Sequence, residues 1–291
     1  MILARKFEFE SSHFYNWGGK LRNLHGHNYE IWVLIEGELN PFGMVKNISE
    51  IKEKVIPILE RFDHTLLNSL PEFNGKNPTV EVISSVLYGA IKGILRELFA
   101  VKVFEDEDIF GAYDGRHFLG FGWIEGCLKR EAWVRGELDN LGRVEDIERV
   151  KVSERKIFEK FEDLRGLGRI SFGGKEMEFR TYRFSSAHIM GLRELSYEEN
   201  LRVFGKCARR ESHGHNYKLI VFSDREETFR EAERVVGELD HRLLNEVIEN
   251  PTLENIALYI NNRINAEAMK IYETPRTYVL TTNLREIAVC L

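Results

Sequence analysis

The pentapeptide HGHNY occurs twice, at 25–29 and at 213–217. Along an extended strand, residues i and i+2 point to the same face. His25 and His27 therefore project together, and so do His213 and His215. Each pair has a third histidine upstream: His13 in FEFESSHFY (7–15) and His188 in YRFSSAHIM (182–190). On the preceding strand of a hairpin, each can reach the same face as its pair. Three neutral imidazoles with an open fourth position are the usual catalytic zinc arrangement, whereas structural zinc more often takes four ligands including thiolates. The expected Zn2+ ligands are thus His13, His25 and His27 in one set and His188, His213 and His215 in the other.

Further residues with usable chemistry recur in step with these. Asp63–His64 and Asp240–His241 are carboxylate–imidazole pairs at matching places, suited to orienting a ring and holding its proton. A helix-end motif in which the Asp bonds local backbone is the plainer reading of either pair alone. Glu105 and Glu273 stand near the ends of matched strands; a buried carboxylate there can accept two N–H bonds from a planar, amidine-like group. Cys207, in GKCARRESHGHNY, has Lys206, Arg209 and Arg210 beside it, which would favour the thiolate. The first copy carries no cysteine between Gly18 and His25 and has Leu21 in the corresponding stretch.

The matches continue in one order through both halves: ERFDHTLLN with GELDHRLLN, NPTVEVI with NPTLENI, VKVFED with MKIYET. Such an ordered set indicates duplication. Eight of the nine histidines lie within it, and only His117 stands outside.

KFEFESSHF alternates as a half-buried strand should, and NYEIWVLIEGEL is rich in β-branched and aromatic residues. Ile48, Ile51, Val55, Leu59 and Phe62 recur at helical spacing. A second helix is expected from near Pro78, which suits a first turn. VKVFED and FGAYDG follow as two strands. Each module is therefore ββααββ, an α+β unit with an antiparallel sheet and helices on one face. In the second module the helices are expected near 228–239 and 251–265. The domains are 1–115, 116–175 and 176–291. In the middle, GELDNLGRVEDIERVK (136–151) echoes GELNPFGMVKNISEIK (37–52). It reads as a degenerate ββα half-module, or as an unrelated insertion.

Composition narrows the classes. The chain has 291 residues, 43% hydrophobic, with net charge −6. That permits a large core and argues against a general nucleic-acid binder or attraction to anionic membranes. No apolar run is long enough for a membrane span. The N-terminus turns charged too early for a secretory signal. Three cysteines, Cys127, Cys207 and Cys290, at no metal-like spacing point to a reducing cytoplasm.

Taken together, S-x-H, HGHNY, DH..LN, PT.E and the strand-end glutamate resemble the 6-pyruvoyltetrahydropterin synthase and 6-carboxytetrahydropterin synthase family, over roughly 1–115 and 176–283. The second module is most similar to the 6-pyruvoyl type through LSYEENLRVFGKCARRESHGHNY. The first resembles the shorter bacterial type, with KLRNLHGHNY and GMVKN. The resemblance implies a tunnelling fold, an oligomeric barrel of modules with sites between them, and zinc on the two histidine triads. It implies a cysteine base at Cys207, proton transfer assisted by Asp240–His241 or Asp63–His64, and Glu273 and Glu105 as pterin anchors. The implied substrate is 7,8-dihydroneopterin triphosphate, with Lys206, Arg209 and Arg210 available to the phosphates and a homo-oligomer as the working form. Two alternatives remain open at this stage. One is side-chain cleavage to 6-hydroxymethyl-dihydropterin with Glu211 as base; the other is a zinc- and pterin-binding scaffold without turnover.

Overall fold

A computed structural model describes residues 1–17, 20–21, 24–105, 110–123, 130–136, 149–150, 167–172 and 175–282. Module one runs β1 (Ile2–His13), β2 (His25–Glu36), α1 (Ile48–Leu59), α2 (Val80–Lys92), β3 (Leu98–Phe104) and β4 (Phe110–Tyr113). Among the described residues, four strands follow in the middle: β5 (His117–Trp123), β6 (Arg130–Gly136), β7 (Arg149–Val150) and β8 (Leu167–Phe172). Module two has β9 (Lys175–His188), α3 (Tyr197–Phe204), β10 (His213–Ser223), α4 (Glu226–Leu239), α5 (Leu253–Ile264), β11 (Ala268–Thr274) and β12 (Thr277–Thr282).

One sheet takes in both modules, in the order β7-β6-β5-β4-β3-β2-β1-β12-β11-β10-β9-β8. The modules join where β1 pairs antiparallel with β12, from Ile2 opposite Leu280 to Arg5 opposite Thr277. The side chains on one face of β1 and β2, Leu3, Phe9, Ile31, Val33 and Ile35, meet Ile51, Val55, Ile83 and Leu87 of the helices. The intervening residues Ile2, Ala4, Trp32 and Leu34 form a second core on the opposite face with Phe222, Tyr272 and Tyr278. Period-two patterning thus buries both faces of these strands.

Three expectations need correction. Pro78 is not in the first turn of α2: Thr79 is the N-cap, its hydroxyl accepting from Val82 N–H, and Pro78 lies outside the helix. The ββααββ reading omits α3, which a capping box opens: Ser196 accepts from Glu199 N–H while the Glu199 carboxylate accepts from Ser196 N–H. In the middle, the helix expected from the echo of GMVKNISEIK does not extend to Arg149–Val150, which pair as a strand with Trp133 and Ala132. The rest of that stretch, with Cys127 and Cys290, lies outside the described residues. Among the described residues, no helix is long and apolar enough to cross a membrane.

The segment after β2 straps module one onto module two. Phe42 and Gly43 carbonyls accept from Asn250 Nδ2 (2.9 Å) and Thr252 Oγ1 (2.6 Å), and Val45 N–H donates to Glu254 Oε1 (2.9 Å). Burial raises the Glu254 carboxyl from its ordinary 4.5 to about 7, against the hydrogen bond from Val45. Between those values the folded protein holds a proton that the unfolded chain has lost. Its contribution to stability is therefore full below about pH 4.5 and is lost as pH rises through about 7. Glu254→Gln stays neutral throughout and should flatten that decline. Urea midpoints taken between about pH 5 and 8 test this; an unchanged slope in the variant would remove Glu254 from the account.

Candidate metal and pterin site

The hairpin register brings each triad together. His13 sits opposite His25 on β1 and β2, and His188 opposite His213 on β9 and β10. Nε2 of His13 is 3.0 Å from Nε2 of His25, and the His188–His213 distance is also 3.0 Å. His27 and His215 complete the sets, with all ligand atoms of each group within 4.8 Å of one another. Gly26 and Gly214 lie against the upstream strand, where an added Cβ would come within 3.1 Å of Ser11 O and 3.3 Å of Ser186 O. The glycine between the histidines thus lets the two strands approach.

The upstream histidines are fully buried, and each has its Nδ1 fixed by a proline carbonyl: His13 to Pro78 O at 2.9 Å, His188 to Pro251 O at 2.8 Å. That bond makes Nδ1 the protonated nitrogen and leaves the Nε2 lone pair facing the centre. The proline of the NPT motif is thus a site residue that reading side chains alone misses, because it acts through its backbone. Burial lowers the His188 pKa to about 4, with His213 and His215 adding to it and the Pro251 bond opposing. Burial lowers His213 and His215 as well. All three therefore stand as neutral imidazoles, the form that binds a metal. Nε2 of His215 is buried without a hydrogen-bond partner. Buried nitrogens of that kind cost free energy unless something satisfies them, and a divalent cation fits this donor set.

The last residue of HGHNY forms the floor. Tyr29 and Tyr217 are buried beneath the triads, stacked on Phe9 and Phe184 with centroids 5.0 and 4.8 Å apart. Glu105 and Glu273 reach the triads from β3 and β11. Glu105 Oε1 is 2.6 Å from His27 Nε2 and 3.5 Å from His13 Nε2. Burial would raise this carboxyl, but His13 and His27 outweigh it and hold the pKa at about 2. Glu273 is different. Its Oε1 is 3.8 Å from His188 and 3.7 Å from His215, buried and without a hydrogen-bond partner. Burial pushes its pKa up to about 7, opposed by Arg5 of module one.

Cys207 is half-buried on a short turn (Gly205–Ala208) tied to the end of β9 by Met190 N–H donating to the Cys207 carbonyl at 2.9 Å. The thiol is not stabilised as the thiolate by Lys206, Arg209 and Arg210. Burial pushes its pKa up and the Glu273 charge adds to that. Arg210 instead lies over the Tyr197 ring, 5.0 Å from its centroid.

The Asp-His pairs repeat closely. Asp63 Oδ1 accepts from Glu10 N–H and Oδ2 is 2.8 Å from His64 Nδ1; Asp240 Oδ1 accepts from Ser185 N–H and Oδ2 is 2.8 Å from His241 Nδ1. Each carboxylate thus does both jobs, clamping a strand and orienting an imidazole. His64 and His241 adopt positive φ, 53° and 54°. That backbone turns both rings outward, and their side chains are 74% and 83% exposed. Neither ring touches its own module's triad among the described contacts. Asn68 and Asn245, the last residues of DH..LN, bond both backbone groups of Phe14 and Ile189 and fix the chain just past each buried histidine.

The family model for 6-pyruvoyl tetrahydropterin synthase matches residues 2–116 and 179–284, more than half of the chain. The chain belongs to the 6-pyruvoyl tetrahydropterin synthase family. Its two matched segments agree with the tandem duplication. A 6-pyruvoyl tetrahydrobiopterin synthase of Dictyostelium discoideum is 37% identical over 101 residues, 33% of this chain and 75% of that one. An Archaeoglobus fulgidus protein, named provisionally as a 6-carboxy-5,6,7,8-tetrahydropterin synthase, is 32% identical over 108 residues, covering 37% and 90%. A dihydroneopterin monophosphate aldolase of Pyrococcus furiosus is 42% identical over 64 residues, 19% of this chain and 56% of that one. The Caenorhabditis elegans 6-pyruvoyl tetrahydropterin synthase structure aligns with 41% of this chain and 97% of its own, at 25% identity and a TM-score of 0.35.

Proposed function

We propose that the chain is a zinc-dependent lyase that converts 7,8-dihydroneopterin triphosphate to a 6-pyruvoyl- or 6-carboxy-tetrahydropterin at the second triad. The observation that carries this reading is the set of His188, His213 and His215 converging beside a buried, unpartnered Glu273 carboxylate oxygen and Cys207. His188, His213 and His215 would hold the zinc. The ion would supply Lewis-acid polarisation of substrate oxygens.

Glu273 accepts N–H groups of the pterin's aminopyrimidinone edge, which is planar and bidentate as an arginine fork is. A free acceptor in a dry site gains most from such a partner. Bound in this way, the pterin side chain extends toward the triad, where Cys207 moves protons on its carbons. Burial and Glu273 raise the thiol's pKa, and a cation bound at the triad would oppose that shift. An exposed Asp-His pair exchanges the thiol's proton with solvent. The working form is a homo-oligomer in the cytoplasm, since sites of this kind lie where modules meet.

A second reading has a specific relative in its favour. The aldolase of Pyrococcus furiosus matches cleavage of the side chain to 6-hydroxymethyl-dihydropterin. Glu211, exposed two residues before His213, is its candidate base. Incubating purified chain with zinc and dihydroneopterin triphosphate, and identifying products by mass spectrometry, separates the two. Release of inorganic triphosphate with a pyruvoyl or carboxy product supports the first. A hydroxymethyl product, from the triphosphate or from dihydroneopterin monophosphate offered separately, supports the second, and both substrates unchanged with zinc bound leave only the scaffold.

A further inference from the structure

The two triads are copies, but their fourth neighbours are not. Glu105 Oε1 approaches all three histidines of module one, at 2.6 Å from His27, 3.5 Å from His13 and 4.0 Å from His25. Ligand atoms bonded tetrahedrally to zinc at 2.0–2.2 Å stand about 3.3–3.6 Å from one another. The Glu105 distances scatter about that edge, and His13–His25 at 3.0 Å is close to it. His13, His25, His27 and Glu105 form a four-residue group, whereas the second group holds only His188, His213 and His215. His27 Nε2 lies 2.6 Å from Glu105 Oε1, whereas the matching distance in module two, His215 Nε2 to Glu273 Oε1, is 3.7 Å.

We propose that Glu105 is the fourth protein ligand of a closed, structural metal site in module one, while the second triad keeps its fourth position for substrate. This rests on the metal reading of the triads. Two other observations agree. A closed site admits no substrate oxygen and needs no base, and module one has no cysteine between His13 and His25. Glu273 instead stays 3.8 Å from His188 and 3.7 Å from His215 and faces the charge of Arg5 of β1 across the module junction. The same letter at matched positions therefore has two jobs: Glu273 binds substrate and Glu105 binds metal.

The test uses the full chain, its Glu105→Gln and Glu273→Gln variants, and a His213→Ala background that strips the second site. Metal per chain, release to a chelator, and the visible spectrum of the cobalt(II) form with and without added thiocyanate are read. Wild type should hold two metals. Site-one cobalt, isolated in the His213→Ala background, should give a tetrahedral spectrum that thiocyanate leaves unchanged. Glu105→Gln should release that metal at least about 10–100-fold faster, the range seen even for outer-shell partners, and should make its spectrum respond to the anion. Glu273→Gln should leave both metals in place. A site-one spectrum that responds in wild type, or a Glu105→Gln chain that releases metal as wild type does, overturns the closed site alone. No metal at either triad overturns the zinc reading together with it.

Discussion

Cys207→Ala is expected to abolish turnover while the metal content stays at the wild-type level. In the proposed reaction the thiol moves protons on the substrate, and losing a proton-transfer group costs roughly 10²–10⁴-fold. It is not one of the converging ligand atoms, which are the three imidazoles. Its turn is tied to β9 through the backbone carbonyl, so the alanine keeps that bond. Rate and zinc content therefore separate a base from a ligand. Undiminished turnover in Cys207→Ala would move the base to Glu211 or elsewhere. Loss of zinc with loss of rate would make the sulfur a ligand.

Much of the site could be read from the sequence because it rests on two short periods. The i, i+2 spacing of His25 and His27 is a property of any strand, and the observed register of His13 opposite His25 follows from one hairpin. The helical faces at Ile51, Val55 and Leu59 could be read for the same reason. What escaped the sequence was decided by atoms or neighbours it does not display. Pro78 and Pro251 act through carbonyls, so side-chain chemistry gave no sign of them. Cys207 sits among cationic letters, yet burial and Glu273 set its proton affinity. Glu105 and Glu273 occupy matched strand ends, and only the packing around them tells them apart. The strand order across the modules was likewise hidden, because β1 and β12 come from opposite ends of the chain.

That strand order bears on which Asp-His pair serves Cys207. Module two's outer strand, β12, is bonded to β1 of module one. Beyond Arg5, β1 continues past the β11–β12 turn to Glu10, whose N–H is held by Asp63. Arg276 in that turn pairs with Glu8 of β1 at 3.7 Å. Asp63 and His64 thus hang from the strand that carries Arg5, whose charge acts on Glu273 of the second site. Asp240 and His241 hang from Ser185 on β9, whose other neighbour is β8 of the middle segment. The outward turn of both rings at positive φ suits service to an adjoining module better than to their own. His64→Ala is therefore expected to slow turnover about as much as Cys207→Ala, within roughly 10²–10⁴-fold, and His241→Ala much less. Both variants keep the aspartate clamp on the strand, so a difference between them reports chemistry and not folding. Single-turnover rates measure it. If His241→Ala is the crippled enzyme and His64→Ala is nearly wild type, module two serves itself. Module one then contributes only its strand and its metal to the junction.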